Sequence, residues 1–246
     1  MIIRTEAIVL RSIDYGETSQ IVTLFTRQMG TIAVMARGAR SAKSRFGSGL
    51  QPMSHIQVVF YFKQSRNVHT LSECSHITRF TRVTRELDRM SVGIRMIELV
   101  GVLMARPEAD EYTFETLLGV LARLNEADER WSNLLPYFYL QLSAALGFAP
   151  VVERENVRRI GSSGGFFSLD DGDISTTKPH GPSSSASRKA IRAIGVMVHA
   201  DLDTIMRMDL DRQVSEEVLQ LVESYLRFHV EDFRPSRSKP VFDRIL

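Results

Sequence analysis

The sequence contains a single cysteine, Cys74, among its 246 residues. One thiol excludes a disulfide within the chain and any zinc site of the cysteine-rich kind. His69 and His76 flank Cys74, but a structural zinc ion takes four ligands and we can name no fourth. We therefore expect Cys74 to be a small, partly buried residue of a strand rather than a metal ligand.

Long apolar runs are also missing. No stretch approaches the roughly 20 apolar residues that cross a bilayer. The N-terminus carries charge at Arg4 and Glu6, so it lacks the apolar core of a signal peptide. These two absences predict a cytoplasmic protein without a membrane partner.

Familiar catalytic motifs are absent as well. The sequence has no nucleophile elbow, phosphate-binding loop, zincin helix or Rossmann fingerprint. We therefore predict a protein that is not an enzyme. A nuclease that uses scattered carboxylates remains an open alternative, because acidic residues are present even though their spacing does not argue for one.

The charge of the chain is unevenly distributed. Residues 1–80 hold ten lysines and arginines but only four acidic residues, an excess of six positive charges. The whole chain has a net charge of +2, so the remaining residues carry an excess of four negative charges. Such opposite signs suggest that the first part contacts a polyanion and that the second does not.

The first 80 residues follow a β pattern. In residues 55–62, Ile56, Val58, Phe60 and Phe62 alternate with more polar residues, which is typical of a half-buried strand. Five such segments, separated by turn residues, predict a small closed barrel of the OB type. An SH3-like barrel fits the same strand count. The predicted strands cover residues 3–13, 21–26, 31–35, 55–62 and 68–77.

Helical spacing replaces the β pattern after residue 81. Apolar residues from Leu87 to Met104 recur every three or four positions, and the run stops before Pro107. Further helices are predicted at residues 111–124, at 135–146 before Gly147, at 190–199, and from an N-cap at Ser215. Residues 150–187 are rich in glycine and serine and predict a small hairpin around Asp171 and Gly172.

The segment between the third and fourth predicted strands is the strongest functional signal. Residues 36–49 contain four cations and no acidic residue, interleaved with glycine, alanine and serine. Small residues allow a loop to approach a nucleic-acid backbone closely, and cations neutralise its phosphates. Phe46 is a candidate for stacking on a base. The cations are Arg37, Arg40, Lys43 and Arg45.

Seven blocks of the sequence carry a resemblance to a known family. They are AIVLRSIDYGETS (residues 7–19), IVTLFT (21–26), ARGAR (36–40), LQP (50–52), LSE (71–73), LGFAP (146–150) and FSL (167–169). These blocks resemble the bacterial RecO family of DNA repair proteins. The resemblance extends over nearly the whole chain and is most specific near the N-terminus.

This resemblance implies an α+β protein with an N-terminal five-stranded OB-fold barrel and an α-helical domain. It implies binding of single- and double-stranded DNA, annealing of complementary strands, and a nucleoid-associated role in the RecF pathway. The implied partners are RecR and the C-terminal tail of single-stranded DNA-binding protein, on whose DNA complexes RecA is loaded. We expect DNA contact at Arg37, Arg40, Lys43 and Arg45, with Arg11 and Lys63 as further candidates.

One departure from the family concerns zinc. Many relatives carry a four-cysteine zinc module, whose positions fall here near Glu155, Arg158, Thr176 and Pro179. Zinc is therefore not expected, and residues 150–187 are interpreted as a degenerate, metal-free insertion. The predicted domains are 1–80 for DNA binding, 81–149 with 188–246 for the helices, and 150–187 for the insertion.

Two alternatives stay open. The barrel is also compatible with a generic nucleic-acid-binding module that acts on structured RNA. The acidic, helical part is compatible with a scaffold for partner proteins, and that role does not exclude DNA binding.

Overall fold

The computed structural model describes residues 1–231 and residue 233. It divides into two compact units, one formed by Met1–Asn125 and another that begins at Glu126. The predicted domain bounds stay predictions, and the last part of the predicted helical domain (residue 232 and residues 234–246) lies outside the described residues. No described helix is both long and apolar enough to span a bilayer.

Five strands form a closed barrel in the first unit. Going around the barrel, the order is β1-β2-β3-β5-β4, and β4 pairs back with β1. β3 and β5 run parallel, whereas the other neighbours are antiparallel. This arrangement is that of the OB fold and decides against the SH3-like alternative. The strands are β1 (Ile2–Tyr15), β2 (Ser19–Thr26), β3 (Gly30–Ala36), β4 (His55–Tyr61) and β5 (Val68–Thr78).

The first strand contributes to two walls of the barrel. Residues 2–8 of β1 pair with β4, and residues 7–15 pair with β2. A register shift between Val9 and Arg11 marks a bulge, and bulges bend a strand from one wall toward the next. The predicted alternation in β4 is confirmed, because Ile56, Val58 and Phe60 are fully buried in the barrel.

Three helices follow the barrel in the chain, and they are α1 (Thr81–Arg85), α2 (Leu87–Leu103) and α3 (Glu111–Glu126). The buried face of α2 differs from the predicted stripe, because Leu87 is exposed and Arg89 is only 2% exposed. The guanidinium of Arg89 donates hydrogen bonds to the Glu86 carboxylate and to the carbonyl oxygen of Leu124. A pattern of apolar residues cannot anticipate a buried arginine whose partner lies in another helix.

The second unit is mainly helical, with α4 (Leu134–Ala145), α5 (Arg154–Arg159), α6 (Arg188–Met197), α7 (Leu202–Arg207) and α8 (Arg212–His229). Gly147 follows α4 with a φ of 84°, as its predicted capping role requires. The prediction that Ser215 caps α8 is wrong. The Asp211 side chain accepts a hydrogen bond from the Val214 N–H, because the buried face of α8 already begins at Val214.

Residues 150–187 form α5 and a small antiparallel sheet. The sheet consists of β6 (Gly165–Ser168), β7 (Ile174–Ser175) and β8 (Ser183–Ala186), with β6 in the centre. The predicted hairpin is confirmed as the β6–β7 pair. β8 lies outside the predicted hairpin and was not predicted from the sequence. Its serines pair with β6 through the backbone, and this pairing does not require an apolar alternation.

Candidate nucleic-acid interface

The loop that connects β3 to β4 passes beside the β1–β2 turn, and Arg40 binds the loop to that turn. The N–H of Arg40 donates to the carbonyl oxygen of Thr18 at 2.8 Å. Its guanidinium lies 3.3 Å from the carboxylate of Asp14 and 3.5 Å from the carbonyl oxygen of Gly16. Arg40 therefore fixes the path of the loop and keeps its charge, partly compensated, at this end of the barrel.

Phe46 lies inside the barrel and not on its surface. Its side chain is 4% exposed and packs with the barrel core, together with Leu50 from the same loop. The Arg45 guanidinium covers the ring at 5.1 Å from its centroid. The expectation that Phe46 stacks on a base is therefore wrong. Burial of the ring against the barrel core is favourable because it removes a large apolar surface from water.

The structure brings some of the predicted cations together and separates others. Arg37 and Arg40 flank the β1–β2 turn, and Lys43 is exposed further along the same loop. Arg11 is exposed on the part of β1 that pairs with β2. Lys63 is exposed in the turn between β4 and β5. The six candidates therefore spread around the barrel and do not line a single groove.

Arg45 belongs to a different face from Arg37. It lines a depression of about 290 Å³ on the outer surface of β1, β4 and β5, together with Arg4, Gln57 and Glu73. Arg4 was not singled out from the sequence. Side chains of a strand alternate between its two sides. Ala7 and Val9 of β1 point into the barrel, so the same alternation places Arg4 on the outer surface and could have identified it from the sequence.

Five of the six candidate cations form no ion pair with the described residues. Within the described ranges 1–231 and 233, no carboxylate lies within 4 Å of the side-chain nitrogens of Arg11, Arg37, Lys43, Arg45 or Lys63. Such charges are free to neutralise phosphates. Arg40 and Arg4 differ, because Asp14 and Glu73 already pair with them, at 3.3 and 3.8 Å respectively.

Arg27 shows that part of the basic excess is structural. Its guanidinium pairs with Glu6, Glu111 and Glu115 and lies 4.7 Å from the centre of the Phe114 ring. The hydrogen bond to Glu115, reinforced by Glu6, raises the pKa of Arg27. Burial of Glu6 opposes its ionisation, but its bonds to Arg27 and His55 lower its pKa overall. Arg27 is therefore unavailable to a ligand.

The side chains of Cys74 and His69 pack within the barrel. Burial raises the pKa of the Cys74 thiol to about 11, so the thiol stays protonated near neutral pH. His69 lies against the rings of Phe60 and Phe62, and its burial lowers its pKa. In the part of the chain that the structure describes, no three histidine, cysteine or acidic side chains are grouped as metal ligands would be.

The donor set at the expected zinc positions does not fit zinc. Glu155 and Arg158 lie in α5, whereas Thr176 and Pro179 follow β7. None of the four is a thiol or an imidazole, and an arginine and a proline side chain supply no ligand at all.

Comparisons with known proteins cover both parts of the chain. The family model described as Recombination protein O N terminal matches residues 1–80, and Recombination protein O C terminal matches residues 84–238. A protein named DNA repair protein RecO from Salinibacter ruber is 48% identical over 99% of this chain and 94% of its own length. Proteins of the same name from Chloroherpeton thalassium and Bacillus pumilus are 28% and 30% identical. The first covers 100% of both chains, and the second covers 92% of this chain and 88% of the relative.

Proposed function

This chain belongs to the RecO family of DNA repair and recombination proteins, and from that premise we propose that it binds DNA through its barrel and anneals complementary strands. The observation that carries the proposal is the set of exposed cations on the barrel that form no ion pair with the described residues, above all Arg37 and Lys43 in the loop that leaves β3. These side chains contact phosphates of single- and double-stranded DNA, which gives binding that is independent of base sequence and sensitive to salt.

The proposed mechanism is neutralisation of charge without bond chemistry. Two strands that approach each other concentrate phosphate charge, and their mutual repulsion slows pairing. Arg37 and Arg40 lie beside the β1–β2 turn, whereas Arg45 and Arg4 lie on the β1–β4–β5 surface. Cations on two faces of one barrel are suited to hold two strands at a short distance while their bases pair.

The proposed partners follow from family membership. RecR acts with this protein in the RecF pathway, and the pair helps to load RecA on DNA coated by single-stranded DNA-binding protein, whose C-terminal tail is recognised. This activity is exerted at the nucleoid in the cytoplasm. We further propose that the protein needs no zinc, because the residues at the expected metal positions supply no thiol.

An annealing assay tests the proposed function. Complementary labelled oligonucleotides, bare or coated with the cognate single-stranded DNA-binding protein, are mixed with the full chain. We expect annealing to be accelerated about tenfold or more at low salt, since electrostatic attraction of this kind raises association rates by that order, and to slow as ionic strength rises. A chelator that removes zinc is expected to leave the rate unchanged.

Two results would count against the proposal. Unaccelerated annealing of both bare and coated strands would leave only a generic nucleic-acid-binding module. Cleavage of the labelled strands in the presence of Mg²⁺ or Mn²⁺ would show an enzyme instead of an annealing protein.

A further inference from the structure

The outer surface of β1, β2 and β3 carries apolar and aromatic side chains that the described residues leave exposed or half-buried. Cross-strand pairing places Ile13 opposite Ile21, and Ile21 opposite Met35. Residues that are directly opposite across strands point to the same side of a sheet. Ile13 is exposed, and Ile21 and Met35 are half-buried, so all three contribute to one apolar row on the outside of the barrel.

Tyr15 lies at the edge of this surface, where β1 meets the β1–β2 turn. It stands two residues after Ile13 on the same strand, and therefore on the same side of the sheet. Its side chain is 56% exposed. Among the described residues, its ring has no aromatic neighbour and its hydroxyl has no hydrogen-bond partner. Packing within the described part of the barrel therefore gives no reason for an exposed aromatic side chain at residue 15.

Cations border the apolar row at both ends. Arg11 precedes Ile13 by two residues and is exposed on the same side of β1. Tyr15 pairs with Ser19, and Gln20 pairs with Ala36, so Arg37 follows Ala36 at the level of Ser19. Two strand spacings, about 10 Å, therefore separate the backbones of Tyr15 and Arg37. An aromatic ring between cations is the combination that single-strand binders use.

We propose that Tyr15 is a stacking platform for an unpaired base, with Ile13 and Ile21 as the apolar floor beside it, so that this face prefers single-stranded DNA to duplex. This inference rests on the proposed DNA binding, and it adds that the bound strand stacks a base on Tyr15. Bases of an unpaired strand offer their faces to a ring, whereas bases of a duplex are stacked on one another and offer only their edges. Arg11 and Arg37 neutralise the phosphates on either side.

Binding measurements with two substitutions test the platform. The parent chain, Tyr15→Ala and Tyr15→Phe are titrated with a labelled oligothymidylate and with a duplex of the same length. We expect Tyr15→Ala to weaken single-strand binding about 5- to 150-fold, the range found for loss of one base–aromatic contact. Duplex binding and the salt slope stay at the parent value, because no phosphate contact is lost. Tyr15→Phe keeps the ring and binds as the parent does.

Tyr112→Ala is the matched control, since Tyr112 lies on α3 and is 54% exposed. This substitution is expected to leave both affinities unchanged. A strand of abasic sites provides a second measurement that does not depend on how a variant folds. The parent chain should bind the abasic strand at least as weakly as Tyr15→Ala binds the normal strand, and the loss of affinity on removing the bases should be smaller for Tyr15→Ala than for the parent.

Equal binding of the oligothymidylate by the parent and Tyr15→Ala would overturn the platform, and so would an equal loss on duplex. If charge reversal in the 37–43 loop still weakened binding, the proposed DNA contact would stand without the platform. Failure of the parent chain to bind any DNA would instead refute the proposed function. Weaker binding of a protein partner by Tyr15→Ala, with DNA binding intact, would reassign this face to that partner.

Discussion

Replacing Arg37, Arg40 and Lys43 together with glutamate is expected to lower the affinity for single-stranded DNA about 100-fold at about 0.1 M salt. Each phosphate contact with a single strand contributes about 0.7 to the slope of log affinity against log salt concentration. Loss of two full contacts, Arg37 and Lys43, and of the partly compensated Arg40 should therefore flatten that slope by about 1.4–2 and weaken binding equally for all base sequences. The measurement is a titration of labelled oligonucleotide at several salt concentrations.

A control variant separates this local effect from a change in net charge. Arg158, Lys178 and Arg192 are exposed cations of the second unit without a carboxylate neighbour among the described residues. Their joint replacement by glutamate alters the net charge by the same amount as the loop variant, but we expect at most a small loss of affinity. Equal losses in the two variants, or a loop variant with the affinity and salt slope of the parent, would show that the loop is not the DNA site.

Arg89→Ala is expected to lower the free energy of unfolding by about 2–4 kcal/mol, because it removes a buried side chain that donates a hydrogen bond to a main-chain carbonyl oxygen. Arg89 joins α2 to the end of α3 through the carbonyl oxygen of Leu124 and also binds Glu86. Alanine would leave that carbonyl without this donor and would open a cavity where the long side chain had been. Urea unfolding followed by circular dichroism measures the change.

Arg82→Ala provides the comparison for Arg89→Ala. Arg82 binds the same Glu86 carboxylate at 3.2 Å, but its side chain is 38% exposed. An exposed ion pair contributes about 0–1 kcal/mol, so this substitution should cost little. If the two substitutions lowered the unfolding midpoint equally, the buried position of Arg89 would have no energetic consequence and the account of α2 would be wrong.

The barrel was predictable from the sequence because its signal is local. Alternation in β4 identifies the buried side of the strand, and glycines such as Gly16 and Gly30 mark the turns. Both glycines adopt positive φ values. Strand order was not local information, since the parallel pairing of Ala33 with Val68 joins segments far apart in the chain. The SH3-like alternative therefore stayed open until the pairing was known.

Errors arose where a residue's environment depends on distant groups. Phe46 was expected on the surface because it follows a basic loop, but the loop folds back over the barrel and buries it. Arg89 and the β8 strand depend on a carbonyl oxygen in α3 and on the backbone of β6, respectively. Charge counting and the resemblance to the family together selected the candidate cations, although they missed Arg4. Their distribution over two faces was not, because the register of β1 with β2 and β4 determines it.

The distinction between structural and exposed cations depends on the fold, because it requires knowing which carboxylates lie near each cation. Arg27 and Arg37 are equal contributions to the charge of residues 1–80, yet Arg27 is held by three carboxylates and Arg37 by none among the described residues. The glutamates that bind Arg27 come from β1 and α3. A count of charges therefore overestimates how many cations a polyanion can reach.

Photochemical crosslinking identifies the residues that contact DNA, and we expect these residues to lie in the barrel. A single-stranded oligonucleotide containing 5-iodouracil is irradiated with the full chain, and the modified peptides are identified by mass spectrometry. We expect crosslinks within residues 11–23 and 31–45, which include Arg11, Tyr15, Arg37 and Arg40. Crosslinks confined to residues beyond 126, with none in the barrel, would contradict the account.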